Sequence, residues 1–163
     1  MSEESDDWDH QDRKKWIAQG YIDLDDDVAF GIEADAASCF GKHYAGLQLG
    51  WIRHPIESEK MGIWFSKLYK NKEWSNRISG NGKTIWEISE SPALVKKYVD
   101  TNMESGSRFG WNRIVFGHSK GWNGKLYRFK GVFELDRAAT NYEHGNVWRR
   151  VSERVRTYPG MKA

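Results

Sequence analysis

Residues 63–87, IWFSKLYKNKEWSNRISGNGKTIWE, bring together three side-chain types suited to gripping a flat heterocycle. Trp74 offers a ring face, and a ring face replaces the stacking a base loses on leaving a duplex, worth about 1–3 kcal/mol. Asn76 carries an amide that can donate to a cytosine carbonyl or ring nitrogen. Glu87 carries a carboxylate that can accept from the exocyclic amine. A strand, a polar loop and a returning strand would set Trp74 and Asn76 in the loop and Glu87 on the return. Taken alone, the pattern also fits a plainer reading, with Trp74 as a loop anchor and Asn76 as a turn residue. Without a second signal the plainer reading prevails.

Hydrolytic chemistry finds less support. The histidines (His10, His43, His54, His118, His144) form no HxxxH or HxH pair to hold a metal. There is no GxSxG elbow, no P-loop and no GxGxxG after a strand. Glu87 with Glu90, or Asp23 with Asp25, Asp26 and Asp27, can be imagined as metal carboxylates, but a solvated turn accounts better for the Asp run. No catalytic residue, metal or cofactor is called for. Cys39, the one cysteine, excludes an internal disulfide, and its apolar setting (Ala36, Ala37, Phe40) points to a buried, inert thiol.

The 163 residues suit a single domain, expected over residues 11–160. Aromatic residues make up 14% of the chain and nine are tryptophan, more than packing usually needs, so some are candidates for a recognition surface. The formal charge of +2 is unevenly spread. Glu3, Glu4, Asp6, Asp7, Asp9 and Asp12 make an acidic arm, expected to be disordered over 1–10. Arg149, Arg150, Arg154, Arg156 and Lys162 face only Glu153 near the other end, so the folded part is the one suited to phosphate. No apolar run reaches membrane-spanning length and no secretory signal opens the chain, which reads as soluble and cytoplasmic.

These residues need elements to hold them. Three short helices are predicted, over 11–19, 33–40 and 91–103, the last with Ser91 as cap and Pro92 in its first turn. Strands are predicted over 63–68, 84–88, 113–117 and 125–136, the third and fourth joined as a hairpin through Gly121, Asn123 and Gly124. In 125–136, Tyr127, Phe129, Phe133 and Leu135 fall on one face, with Arg128, Lys130 and Glu134 on the other. A last strand over 147–158 would align Arg150, Arg154 and Arg156, although Val147, Val151 and Val155 also repeat at helical spacing. The absence of a βαβ rhythm predicts an α+β fold built on a curved antiparallel sheet or open barrel.

At GYIDL (20–24), CFG (39–41), IWFSKLYKNKEWSN (63–76), LYRFKGVFELD (126–136) and RRVSERVRTY (149–158), the chain resembles the C-terminal domain of the AbaSI family. Members are modification-dependent restriction endonucleases specific for 5-hydroxymethylcytosine and its glucosylated form. The resemblance runs from about residue 15 to 158. It implies an SRA-like (SET- and RING-associated), PUA-like twisted antiparallel β-barrel or crescent sheet that flips the modified base out of duplex DNA. It maps the family's WxN pair onto Trp74 and Asn76, and its strand carboxylate onto Glu87. Trp64 joins them as a base-binding candidate, and Arg150, Arg154 and Arg156 are the phosphate candidates. The implied partner is double-stranded DNA containing modified cytosine, with a nuclease subunit or domain as a further one. Family endonucleases carry a metal-dependent nuclease domain ahead of this region. Two readings follow, a stand-alone reader or the recognition fragment of such an enzyme, and in both residues 1–163 are expected not to cut DNA.

Overall fold

The structure, a computed structural model, describes residues 13–118 and 126–160. The acidic arm and the turn residues Gly121, Asn123 and Gly124 lie outside the described residues. Helix α1 covers residues 13–19 and stops at Gly20, whose φ of 89° suits a residue without a side chain. Helix α2 (Glu33–Ala37) is shorter than its predicted span. Helix α3 (Pro92–Met103) starts at Ser91, whose side chain accepts from the Leu94 N–H.

The strands in chain order are β1 (Tyr21–Asp23), β2 (Ala29–Phe30), β3 (Trp51–Arg53), β4 (Met61–Lys67), β5 (Lys70–Asn71) and β6 (Trp74–Ser75). They continue with β7 (Arg77–Ile78), β8 (Thr84–Glu87), β9 (Asn112–His118), β10 (Tyr127–Leu135), β11 (Asn146–Ser152) and β12 (Arg154–Arg156). The main sheet runs β3-β4-β9-β10-β11-β8-β7, with β2 added to the start of β10. Its ends, β3 and β7, do not pair, so the sheet is an open crescent and no closed barrel forms among the described residues.

Three local readings need correction. First, the sheet is not wholly antiparallel, because β4 pairs with β9 in parallel, Met61 opposite Asn112 through Lys67 opposite His118. A parallel pair needs a long crossover, and residues 68–111, with β5 to β8 and α3, supply it. Second, the alternation along β10 breaks at two register shifts around Gly131, whose φ is 113°. A bulge there turns the strand, so Phe129 and Val132 enter one core while Phe133 and Leu135 enter the other. Third, the predicted last strand is two strands: β11 stays in the main sheet and β12 leaves it to pair with β1.

The crescent is buried on both faces. On one, Ile63 and Phe65 of β4 and Ile114 and Phe116 of β9 pack with Trp16, Ala36, Ala37, Cys39 and Phe40. Burial pushes the Cys39 thiol well above its ordinary value, as expected of an inert group. On the other face, Trp64, Val115, Phe133, Leu135 and Trp148 meet Ile85 of β8. Trp64 and Trp148 touch with ring centroids 6.1 Å apart although β9 and β10 lie between their strands. This second face carries the candidate site.

Candidate functional site

The strand-loop-strand picture of residues 63–87 gives way to something tighter. β5 and β6 form a small hairpin, with Asn71 opposite Trp74, and Lys72 takes a left-handed turn conformation at φ 57°. β7 and β8 form a second hairpin, with Arg77 opposite Trp86 and Ile78 opposite Ile85. Its turn is held by Ser79 Oγ, which accepts from the Lys83 and Thr84 N–H groups. Extending that register by one residue sets Asn76 opposite Glu87, and a bridge pairs Trp74 with Ser89. Side chains two apart on a strand share a face. Trp74 and Asn76 therefore stand beside Glu87 on the same side of the ribbon. The Ser75 N–H donates to Ile88 O at 2.9 Å and the Glu90 N–H to Glu73 O at 2.7 Å, fastening the arrangement.

Trp64, Trp74, Asn76 and Glu87 all line one cavity of about 320 Å³, a size within the range of small-ligand sites. Trp51, Phe65, Lys67 and Tyr98 complete much of its wall. Trp74 meets Tyr98 of α3 edge to face, with centroids 5.0 Å apart at 78°. Asn76 is buried, and its Oδ1 accepts from the Ile88 N–H at 3.2 Å. Its NH₂ has no acceptor among the described residues and is left to donate to whatever fills the cavity. A larger cavity of about 570 Å³ adjoins and shares Leu49, Gly50, Phe65 and Lys67 with it. There Glu33 accepts from the Gly50 N–H at 3.2 Å, and burial holds its carboxyl above its usual range.

Glu87 is anchored from behind. Its Oε1 accepts from Asn146 Nδ2 at 3.1 Å and from the Trp148 indole N–H at 3.3 Å. Its Oε2 accepts from Arg113 at 3.3 Å. The carboxylate has about four acceptor sites, so roughly one remains for a ligand. Arg113 packs against two rings, 4.8 Å from the Trp64 centroid and 4.1 Å from that of Trp148. It also donates to Phe109 O at 3.0 Å, while its Nε has no partner among the described residues. Burial pushes this guanidinium below its ordinary value and the Glu87 charge pulls it back up. Sequence reasoning missed Arg113, Asn146 and Trp148. Nothing in their spacing marks them as supports for Glu87, because they come from β9 and β11, far along the chain.

The three candidate phosphate arginines do not share a face. Arg150 on β11 is held inward, donating to Gly82 O at 3.4 Å and pairing with Glu153 at 3.5 Å. Arg154 and Arg156 are exposed on β12, outside the strands that build the cavity. Arg154 lies 3.9 Å over the Tyr21 ring and pairs with Asp23 at 2.9 Å. The Asp25 N–H and then Arg154 hold the Asp23 carboxyl below its usual range. Arg156 lies 4.6 Å over the Tyr158 ring. Among the described residues, no three His, Cys, Asp or Glu side chains gather to hold a metal, and no helix is long and apolar enough to cross a membrane.

Comparison with curated protein sequences found no match. Among solved structures, the chain is similar to the 5-hydroxymethylcytosine-specific restriction enzyme AbaSI, with 34% identity and a TM-score of 0.81. The match covers 91% of this chain and 46% of that one, so this chain spans under half of its length. Residues 15–157 match the SET and RING associated domain. A match over nearly all of an open crescent sheet with three short flanking helices establishes that the chain belongs to the SET and RING associated (SRA) domain family.

Proposed function

We propose that this domain reads a modified cytosine in double-stranded DNA by taking the flipped base into the cavity around Trp74, Asn76 and Glu87. The β7–β8 register carries this reading, since it sets an amide donor and an anchored carboxylate opposite each other beside a tryptophan ring. An extruded cytosine offers one amine donor and two acceptors, and each group left unpaired on burial costs about 1–3 kcal/mol. Glu87 accepts from the amine, Asn76 donates to the carbonyl or ring nitrogen, and Trp74 and Trp64 supply ring faces. The similar enzyme is specific for 5-hydroxymethylcytosine, which makes that base the first candidate ligand. The domain binds and does not cut; the similar enzyme's cleavage would belong to the part of it that this chain does not span.

The test compares otherwise identical duplexes carrying one plain, 5-methyl-, 5-hydroxymethyl- or glucosylated hydroxymethylcytosine. Binding at least tenfold tighter to one modified form supports the reading, with a fluorescent base analogue beside the site reporting unstacking. Equal affinity for all four removes it. No cleavage is expected when Mg²⁺ is supplied.

Backbone contact is a separate expectation. Arg154 and Arg156 are proposed phosphate contacts because they are exposed. Arg150 is not proposed for that role, because 13% of its side chain is exposed against 57% for Arg154. Arg156→Ala should reduce the slope of log affinity against log salt by about 1 and weaken plain and modified DNA alike. Arg150→Ala should leave the slope unchanged. An unchanged slope in R156A places β12 away from DNA.

A further inference from the structure

Arg113 is an expensive residue to keep. It is 5% exposed, packed against two tryptophans, and its ionic partner among the described residues is Glu87. Packing alone would be served as well by an apolar side chain, since replacing a buried ion pair by hydrophobic groups is often neutral or stabilising. What an apolar side chain could not do is act on the charge of the carboxylate in front of it. Glu87 reaches the cavity with 11% of its side chain exposed, so it is the member of the pair that a ligand can meet.

We infer that Arg113 is the positioning residue that makes Glu87 a fixed anionic acceptor, so that the cavity accepts a base with an amine at its 4-position and rejects one with a carbonyl there. The inference rests on the proposed base-reading function and names the group that sets its specificity. The geometry supports it in two ways. The guanidinium packs against the Trp64 and Trp148 rings and donates to the Phe109 carbonyl, so the Arg113 contact to Glu87 Oε2 has a set direction. Asn146 and Trp148 both donate to Oε1, so the second oxygen has no freedom to rotate away. Every protein group on the carboxylate is therefore a donor, which leaves its remaining lone pair as an acceptor. The other ionisable groups on the cavity wall are Lys67 of β4 and Tyr98 of α3, and neither is bonded to Glu87. Arg113 is the cation placed to act on it directly.

Removing the Arg113 guanidinium leaves Glu87 Oε2 without its donor, so that only Asn146 and Trp148, both on Oε1, still hold the carboxylate. The acceptor aimed at a 4-amine is then no longer held in one direction, and discrimination against a 4-carbonyl base should fall. The experiment measures the ratio of affinities for duplexes carrying one 5-hydroxymethylcytosine or one 5-hydroxymethyluracil, for the wild type, Arg113→Lys and Arg113→Met. The wild type is expected to favour the cytosine duplex, and R113K, which keeps the charge, to stay within a few-fold of that ratio. R113M is expected to lose about tenfold or more of the ratio.

A merely structural role would weaken both duplexes together and leave the ratio alone, and that outcome overturns the inference. Should R113M fail to fold, Arg113→Gln, which removes the charged fork and keeps Glu87, takes its place. Loss of the ratio supports the inference there too, and retention overturns it. The two proposals fail differently: equal wild-type binding of plain and modified cytosine ends the base-reading function, whereas a preserved preference with an unmoved R113M ratio ends only the role given to Arg113.

Discussion

Glu87→Gln is expected to lower the stability of the folded domain by about 3 kcal/mol, before any DNA is added. Removing one partner of a buried ion pair costs about 3–5 kcal/mol, because the other charge is left in a place water cannot reach. Here that stranded charge is Arg113, buried against the Trp64 and Trp148 rings. Glutamine keeps the size of the side chain and one acceptor oxygen, which places the expected loss at the lower end. For a domain of this size, 3 kcal/mol corresponds to a fall in melting temperature of about 10 °C. The substitution thus changes the scaffold as well as the base contact, and reduced binding in E87Q is read only at a temperature where it is fully folded. A second measurement isolates the cause. E87Q/R113M removes both charges and should recover most of the lost stability, since a neutral pair has nothing stranded. A wild-type melting curve in E87Q would mean that the pair contributes nothing to the fold.

The same ion pair shows where reading from sequence stops. The pattern of residues 92–103 gives α3, because Val95 and Val99 repeat on one helical face and both are buried. Local signals are enough for that. They are enough as well for β4, β8, β9 and β10, whose apolar runs agree with the observed strands to within about three residues at each end. Trp74, Asn76 and Glu87 were legible through residue type and family likeness, and the structure brings them to one cavity. The reason they meet was not legible. Two successive hairpins, each closed by only two residue pairs, fold residues 70–87 back on themselves, and runs that short carry no periodicity. The parallel β4–β9 pair was equally hidden, since its partners are joined through a crossover whose course depends on the completed sheet. Along β10, the residue that breaks the alternation is Gly131. A Cβ there would lie 2.6 Å from Arg150 Cδ and 2.8 Å from Ser152 O, so the bulge depends on contacts made by a different strand. Arg113 is the extreme case. Nothing in its neighbours along the chain marks a partner, and only the curl that brings β11 over β4 gives it two rings and a carboxylate.

Asn76→Asp is expected to weaken binding to the preferred modified duplex by about tenfold to a hundredfold while leaving the fold intact. The substitution is chosen because the two ends of the Asn76 side chain do different work. Oδ1 accepts from the Ile88 N–H at 3.2 Å, a bond that ties the residue after β6 to the continuation of β8. Asp retains an oxygen in that place, so the tie survives. The other end changes from an NH₂ donor to an acceptor. A cytosine carbonyl or ring nitrogen lying against it would lose its hydrogen bond and meet a lone pair instead, and an unsatisfied buried polar group costs about 1–3 kcal/mol. The new carboxylate would also face Glu87 across the β7–β8 register, adding like charge to the same cavity. Asn76→Ala is the informative contrast, because it removes both ends and should lower the melting temperature as well as the affinity. Titration of labelled hydroxymethylated and plain duplexes, with melting curves on the same samples, separates the cases. Loss of modified-duplex affinity in N76D, with a near-native melt and an unchanged salt slope, identifies Asn76 as the donor to the base edge. Native affinity for the modified duplex in N76D would leave Asn76 with its Ile88 contact alone and remove it from the recognition site.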